Sequence, residues 1–302
     1  MRPLIFLSLL LATAAHAADA PKPLTSAEVL AQAPVEAWRA VDPENLVLLE
    51  LDSGTVYIEI APAFAPKHAE QLRGLIAQGY FDGLAVLRSQ DNYVAQWGDP
   101  LADDVEQARP RGEQAERLAA EFDQASDRVG AFTPMPDGDV YAPEAGFIDG
   151  FPAARDPASG RSWLAHCYGT LGAGRDNAPD SGSAAQLYVV TGHAPRHLDR
   201  NVTLFGRVLE GVEHLSSLPR GRAPLGFYTE DQAKPAVRAM RLASAMDEDA
   251  RPRFEVMRTD SDSFRAFIES RRSRHEPWFA HPAGRIEVCN VAVPTRRSSA
   301  GD

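Results

Sequence analysis

The sequence has few of the side chains that carry covalent or metal-assisted chemistry. Its 302 residues include only two cysteines and eight histidines. His193 and His197 have the spacing of a helical metal pair, but Pro195 between them argues against a helix there and so against zinc. Ser181 and Ser183 lie in a glycine-containing stretch without the nucleophile-elbow pattern. We therefore expect neither a metal site nor a serine hydrolase.

Nothing in the chain favours a nucleotide cofactor or a nucleic acid as a partner. The glycines of GTLGAGRD, residues 169–176, have the wrong spacing for the dinucleotide fingerprint, and no βαβ pattern surrounds them. The formal net charge of −11 repels phosphate backbones. We interpret the one basic run, RRSR at 271–274, as a solvated helix end. The expectation is no cofactor and no nucleic-acid partner.

Long apolar runs are missing after the first residues of the chain. Residues 1–17, MRPLIFLSLLLATAAHA, combine Arg2, an apolar run and the small-x-small pattern Ala15–Ala17. The apolar run is too short to span a bilayer, so we predict a secretory signal peptide rather than an uncleaved anchor. We expect an exported protein, periplasmic or secreted, with no membrane span.

The two cysteines, Cys167 and Cys289, allow a single pairing. In an oxidising compartment such a pair can form a disulfide, and closing a loop of this length contributes about 4 kcal/mol in the chain-entropy model. Two buried free thiols are the alternative. Sequence reasoning leaves both open, and the expected export of the chain favours the bridge.

From residue 46 onward, apolar runs separated by turn residues predict a strand-rich domain, which we place at 46–246. The hairpin LVLLELDSGTVYIEI, residues 46–60, has its turn at Asp52–Gly54. A helix is predicted to begin at Ala65–Pro66 and to end near Gly79. Further strand-like segments lie at 84–89, 93–97, 169–174, 185–191 and 203–209, and a short helix at 212–218. This pattern favours a mainly β fold, either a closed barrel or a sandwich.

Three other segments belong to the predicted organisation. Residues 18–45 form an N-terminal linker with a brief helix, because Thr25 to Glu28 matches a capping box. Residues 101–165 are charged and weakly periodic, and we interpret them as a long loop insertion in which EQAERLAAEF is helical. Residues 247–302 form a C-terminal extension, where DSDSFRAFIESRR predicts a helix packed on the β domain.

Short motifs follow one another in an order that is specific as a set. The first half of the domain has GYFDG at 79–83, VLR at 86–88 and YVAQWGDP at 93–100. The second half has GTLGAGR at 169–175, GSAAQLYVV at 182–190 and LDRNVTLFGRVLEGVE at 198–213. The set resembles the cyclophilins, a family of peptidyl-prolyl isomerases, over residues 46–100 and 166–246. This resemblance implies a closed eight-stranded antiparallel barrel flanked by short helices.

The resemblance also implies the site and its partner. Arg88 takes the place of the catalytic residue in the family pattern. The implied substrate-binding residues are Tyr93, Val94, Gln96, Gly174, Arg175, Tyr188, His197 and Leu198. The implied partners are proline-containing segments of unfolded or folding proteins.

Prolyl isomerisation needs neither a nucleophile nor a metal. The barrier of about 18–20 kcal/mol arises because the amide nitrogen lone pair is delocalised into the carbonyl. A fixed cation that donates toward the prolyl nitrogen draws this lone pair out of conjugation and so stabilises the twisted state selectively. Arg88 suits this task, since a guanidinium stays charged and presents a rigid fork of donors.

Several positions depart from the family pattern. Tyr93 and Tyr188 stand where the family has Phe, so each hydroxyl must find a partner or reach solvent. Leu87 and Val202 replace histidines, and His197 replaces a tryptophan. We expect isomerase activity with an altered or weaker substrate preference. A catalytically weak peptide-binding chaperone is one alternative, and an interaction protein that binds through its insertion and extension is another.

Overall fold

The computed structural model describes residues 23–104 and 106–298. The predicted signal peptide, residues 1–17, and the beginning of the predicted linker lie outside this range. Within it, none of the helices has the length and apolarity needed to cross a bilayer.

The strands and helices of the described residues are as follows. In chain order the strands are β1 Trp38–Ala40, β2 Leu46–Leu51, β3 Gly54–Ile60, β4 Ala85–Ser89, β5 Val94–Gly98, β6 Gln124–Ala125, β7 Phe132–Pro134, β8 Glu144–Ile148, β9 Phe151–Asp156, β10 Arg161–Leu164, β11 Thr170–Ala173, β12 Gln186–Val190, β13 Leu204–Glu210, β14 Val237–Leu242, β15 Phe254–Met257 and β16 Thr295–Arg297. The helices are α1 Ser26–Gln32, α2 Pro66–Ala77, α3 Glu213–Ser216 and α4 Asp262–Arg272.

Eight of these strands form one antiparallel sheet that curls into a nearly closed barrel. Their order is β14-β2-β3-β13-β11-β12-β5-β4. The two edge strands meet where Ala85 pairs with Ala236 and where the Gly83 amide donates to the Val237 carbonyl at 3.0 Å. The expectation of a mainly β, eight-stranded antiparallel barrel is confirmed.

The apolar run of β2 is continuous because both faces of this strand are buried. Val47 and Leu49 point into the barrel core, whereas Leu46 and Leu48 belong to a second core outside it. Successive residues of a strand alternate between its faces, so each face supplies every second side chain. The predicted hairpin of β2 and β3 therefore joins two cores rather than one.

Helix α2 lies where the sequence predicts a helix. Pro66 occupies its first turn, and Gly79 follows its end with φ +66°. Its apolar stripe, which includes Leu72 and Leu75, is buried in the barrel core. The N-terminal helix α1 is also confirmed, since Thr25 and Glu28 form the predicted capping box.

The insertion is a folded sheet, so the prediction of a long loop at 101–165 is wrong. Strands β6 to β10 form an antiparallel sheet in the order β6-β10-β9-β8-β7. The piece predicted to be helical, residues 113–122, contains no helix. Its polar groups bond to the barrel side instead: the Leu118 amide donates to Gly182 O at 2.8 Å, and Ala115 O accepts from the Gln71 side chain at 2.6 Å. Bonds to the barrel thus replace the internal bonds of a helix.

The second core is shared by segments that are far apart in sequence. Val29 comes from the N-terminal segment, Phe147 from the insertion, and Phe254 and Phe264 from the C-terminal extension. Phe264 lies on α4, which forms where the sequence predicts a helix, with Ser261 as its N-cap. The extension therefore packs against the barrel together with the insertion and the N-terminal segment.

A disulfide crosses between these parts of the chain. Cys167, just before β11, is bonded to Cys289 in the extension, across 122 residues of sequence. Of the two alternatives that the sequence leaves open, the structure has the bridge.

Candidate active site

Four residues form a row across neighbouring barrel strands. Arg88 on β4 pairs with Gln96 on β5, and Gln96 pairs with Tyr188 on β12. Tyr188 in turn pairs with Gly172 on β11. Directly paired residues of antiparallel strands point to the same face of a sheet. The flanking residue Trp97 points into the barrel core, so this row faces outward.

A β-bulge at Leu87 places Arg88 in this row. Val86 pairs with Trp97, but Arg88 pairs with the preceding residue, Gln96, so Leu87 is an extra residue in β4. Val86 lies in the barrel core. Strict alternation would send Arg88, two residues later, into the same core; the bulge turns it outward.

Arg88 is held by a carbonyl, an amide and two aromatic rings. Its Nε donates to Leu225 O at 2.5 Å, and its Nη2 donates to Gln90 Oε1. The guanidinium carbon lies 5.3 Å from the Tyr93 ring centroid and 5.5 Å from that of Phe227. Burial lowers the pKa of Arg88, and Tyr93 opposes the shift. Arginine nevertheless stays charged at neutral pH.

No carboxylate neutralises Arg88 among residues 23–104 and 106–298, and its Nη1 makes no hydrogen bond to any of them. A guanidinium in this state can donate to an electron-rich atom placed beside it. In the low dielectric of a half-buried cleft, that interaction is stronger than it is in water.

Arg88 lies at a cavity of about 310 Å³, at the lower end of the range for small-molecule pockets. The lining residues are Arg88, Tyr93, Val94, Gln96, Gly174, Arg175, Asp176, Asn177, Tyr188, Leu198 and Val202. All the predicted site residues are among them except His197, which is exposed to solvent next to Leu198. Asp176, Asn177 and Val202 were missed as site residues. The first two directly follow the predicted pair Gly174 and Arg175, and Val202 was noted only as the replacement of a family histidine.

The Gln96 amide is oriented by a second glutamine that sequence reasoning did not assign to the site. Gln96 Nε2 donates to Gln186 Oε1 at 2.7 Å, and Gln186 Nε2 donates to Asp99 O at 2.9 Å. This chain of bonds commits the amide nitrogen of Gln96 and leaves its Oε1 as an acceptor. Gln186 lies within the motif at 182–190, which was the available signal.

Arg175 braces the wall of the cavity. Its Nε and Nη2 donate to Asn201 O at 2.9 and 2.7 Å, and its Nη1 donates to Asp176 O at 2.6 Å. These bonds hold two lining loops together. The guanidinium is thus engaged with the backbone, in contrast to that of Arg88.

The two tyrosines that replace phenylalanines in the family pattern are accommodated differently. The Tyr93 ring faces Arg88. The Tyr188 hydroxyl is bonded to His166 Nε2 at 3.0 Å. Burial raises the pKa of Tyr188, with Tyr93 and Asp199 adding to the shift, so the hydroxyl keeps its proton.

Sequence and structure comparisons with known proteins match this chain to the same family. The family model described as cyclophilin type peptidyl-prolyl cis-trans isomerase/CLD matches residues 46–244. A probable peptidyl-prolyl cis-trans isomerase of Brucella abortus (strain 2308) is 26% identical over 187 residues, which cover 62% of this chain and 78% of that protein. The peptidyl-prolyl cis-trans isomerase-like 3 of Gallus gallus is 24% identical over 174 residues, which cover 58% of this chain and 81% of that protein.

A solved structure matches beyond the barrel. The crystal structure of cyclophilin AquaCyp293 from Hirschia baltica has a TM-score of 0.71 and 28% sequence identity, and the match covers 92% of this chain and 99% of that one. The match therefore includes most of the insertion and extension as well as the family domain. The chain belongs to the cyclophilin family and is a peptidyl-prolyl cis-trans isomerase.

Proposed function

We propose that this isomerase assists the folding of exported proteins by accelerating rotation about their X–Pro bonds, with Arg88 as the catalytic residue. The observation that carries the proposal is the state of Arg88. It is a half-buried cation at the cavity, and no carboxylate among the described residues pairs with it. Its charge is therefore available to a bound peptide.

The catalytic step is a selective stabilisation of the twisted peptide bond. When the X–Pro bond rotates out of plane, the nitrogen lone pair becomes localised and accepts a hydrogen bond. Arg88 donates to that nitrogen more strongly in the twisted state than in either planar isomer, and this difference lowers the barrier. A single well-placed donor of this kind is worth about 10²–10³ in rate.

The remaining lining residues bind the peptide. Val94, Leu198 and Val202 present apolar side chains to the cavity and suit the proline ring. Gln96 Oε1 remains free to accept a backbone N–H, because Gln186 engages the amide nitrogen. These contacts hold the prolyl nitrogen near Arg88, which keeps the entropic cost of alignment out of the reaction step.

Two features support a role in an oxidising compartment. Residues 1–17 have the pattern of a signal peptide. The disulfide between Cys167 and Cys289 is of a kind that persists mainly outside the cytosol. N-terminal sequencing of the natural protein is expected to begin at Ala18, with the protein in the periplasm or the medium. A chain that keeps Met1 and stays in the cytosol would contradict export.

The folding role is tested on an exported protein whose slow refolding phase is limited by proline isomerisation, which takes tens to hundreds of seconds. We expect the protein to shorten this phase at substoichiometric concentration. The Arg88→Ala variant should leave the phase unchanged. If both proteins shorten the phase equally, the effect comes from binding alone and Arg88 is not the catalyst.

A further inference from the structure

We infer that His166 is a positioning residue for the proline pocket, which it serves by holding the ring of Tyr188 in place. His166 is in turn held by Asp199 and Arg196. This inference rests on the proposed function of the cavity that Tyr188 lines. His166 lies outside every motif of the family pattern, and its bonding partner on Tyr188 is a hydroxyl that the family's phenylalanine lacks.

The bonds form a continuous chain through the interior. The Tyr188 hydroxyl lies 3.0 Å from His166 Nε2, and His166 Nδ1 lies 2.9 Å from Asp199 Oδ1. The backbone N–H of His166 donates to the same carboxylate oxygen at 3.0 Å. Asp199 Oδ2 accepts from Arg196 Nε at 2.6 Å. His166 and Arg196 are 0% and 3% exposed, so water does not compete for these bonds.

The donors and acceptors in this chain are fixed by chemistry. An ionised carboxylate only accepts, so His166 Nδ1 carries the proton that is shared with Asp199, and Nε2 is left as an acceptor for the Tyr188 hydroxyl. Burial lowers the pKa of His166, although Asp199 opposes the shift. The imidazole is therefore neutral at neutral pH. The ring of Tyr188 is tethered in one orientation.

The Tyr188 ring needs a tether because its cross-strand neighbour has no side chain. Gly172 pairs with Tyr188, and a Cβ added at Gly172 would lie 2.4 Å from Tyr188 Cζ. The ring thus lies directly over the backbone of β11, with no side chain from position 172 beside it. The hydrogen bond at the tip of the ring fixes the orientation of the ring on this open backbone surface.

The chain of bonds continues beyond the barrel. Arg196 Nη1 lies 2.8 Å from Asp139 Oδ2 of the insertion and 3.3 Å from Glu287 Oε1 of the extension. Burial disfavours the charge on Arg196, yet Asp199 and Asp139 raise its pKa above the ordinary value. The pocket wall is thereby anchored to the insertion and to the extension. Substitutions at Arg196 strand buried carboxylates, so the test is made at His166.

The test is a double-mutant cycle with His166→Ala, Tyr188→Phe and both changes together, assayed with a short X–Pro peptide. We expect His166→Ala to raise KM about five- to tenfold, the effect of one net hydrogen bond. Its kcat should stay within twofold of wild type, because Arg88 is untouched. In the Tyr188→Phe background the same histidine change should alter KM by less than twofold, since the hydroxyl through which it acts is gone.

A matched control is available at His68, the other buried histidine of the described residues that bonds to a carboxylate. It is 2% exposed and its Nδ1 lies 2.7 Å from Glu121 Oε2, but it does not line the cavity. His68→Ala should lower the melting temperature while leaving KM within twofold of wild type. If His166→Ala behaves like this control, its role is structural only and the inference is wrong.

Other outcomes separate this inference from the proposed function. An equal rise in KM in both the Tyr188 and the Tyr188→Phe backgrounds shows that His166 does not act through the hydroxyl, and it overturns the positioning role alone. Full activity of Arg88→Ala overturns the proposed catalyst and leaves the histidine result intact. Peptide affinity can be measured by calorimetry for the same four proteins of the cycle. This measurement does not depend on turnover, so it tests the positioning role even if wild type proves inactive.

Discussion

The disulfide provides a prediction whose size follows from the fold. Cys167 and Cys289 are 122 residues apart in sequence. In the chain-entropy model, opening a loop of this length lowers the free energy of unfolding by about 4–5 kcal/mol. For a chain of this size that corresponds to a fall in melting temperature of about 7–9 °C. The double variant Cys167→Ala, Cys289→Ala removes the bridge and leaves small apolar side chains in its place.

The assay compares denaturant unfolding of wild type and the double variant, each with and without reductant. Reductant should lower the stability of wild type to near that of the double variant, and it should leave the double variant unchanged. A loss of less than about 1 kcal/mol would contradict this prediction, because the bridge would then restrict the unfolded chain very little. Equal sensitivity of both proteins to reductant would refute it as well.

Two further predictions concern the pocket wall. Gly172→Ala should lower the free energy of unfolding by about 1–3 kcal/mol in denaturant titration, because the new Cβ would lie 2.4 Å from Tyr188 Cζ; unchanged stability would show that the ring is free to move aside. Burial lowers the pKa of His166 in the folded state. Below the ordinary histidine pKa of about 6.5, the unfolded state therefore binds a proton at this residue that the folded state does not bind. Stability should therefore fall as pH decreases below about 6.5, with a shallower slope in His166→Gln when both are unfolded in denaturant across this range; identical slopes would contradict a neutral His166.

The barrel was predictable from sequence because each of its strands can be identified from the residues of its own segment. The runs on either side of Asp52–Gly54 are rich in apolar residues, the second run is also rich in β-branched ones, and turn residues bound them, so the hairpin of β2 and β3 could be placed closely. Helix α2 has a proline in its first turn and a stripe of apolar residues along one face. Each of these signals lies within one segment and does not depend on the rest of the chain.

The insertion was not predictable in the same way. Its strands β6 and β7 are only two and three residues long, and small buried residues such as Ala145, Ala153 and Ala154 stand among the larger apolar residues of β8 and β9. The buried Phe147 of the insertion packs against Phe264 of the extension, with ring centroids 4.9 Å apart. Contacts between distant segments decide this fold, and they leave no periodic pattern in a single window of sequence.

Some residues of the site could be identified from local motifs, whereas others depend on contacts between distant segments. Arg88 and Gln96 could be identified from ordered motifs, but the bulge that turns Arg88 outward is a property of strand pairing. His166 had no local signal, because Asp199 lies 33 residues further along the chain. The expected place of His197 in the pocket rested on one aligned position. In the structure His197 faces solvent, while its neighbour Leu198, which was also predicted, lines the cavity.

If the charge of Arg88 catalyses isomerisation, removing this charge must slow the reaction without unfolding the protein. The isomerisation rate of a short X–Pro peptide is measured with wild type, Arg88→Ala and Arg155→Ala. Arg155 is a matched control, since its guanidinium also lies over a ring, 4.2 Å from the centroid of Phe132 in the insertion. We expect Arg88→Ala to lower kcat about 10²–10³-fold and Arg155→Ala to stay near wild type. A folded Arg88→Ala protein that keeps wild-type kcat would contradict this expectation.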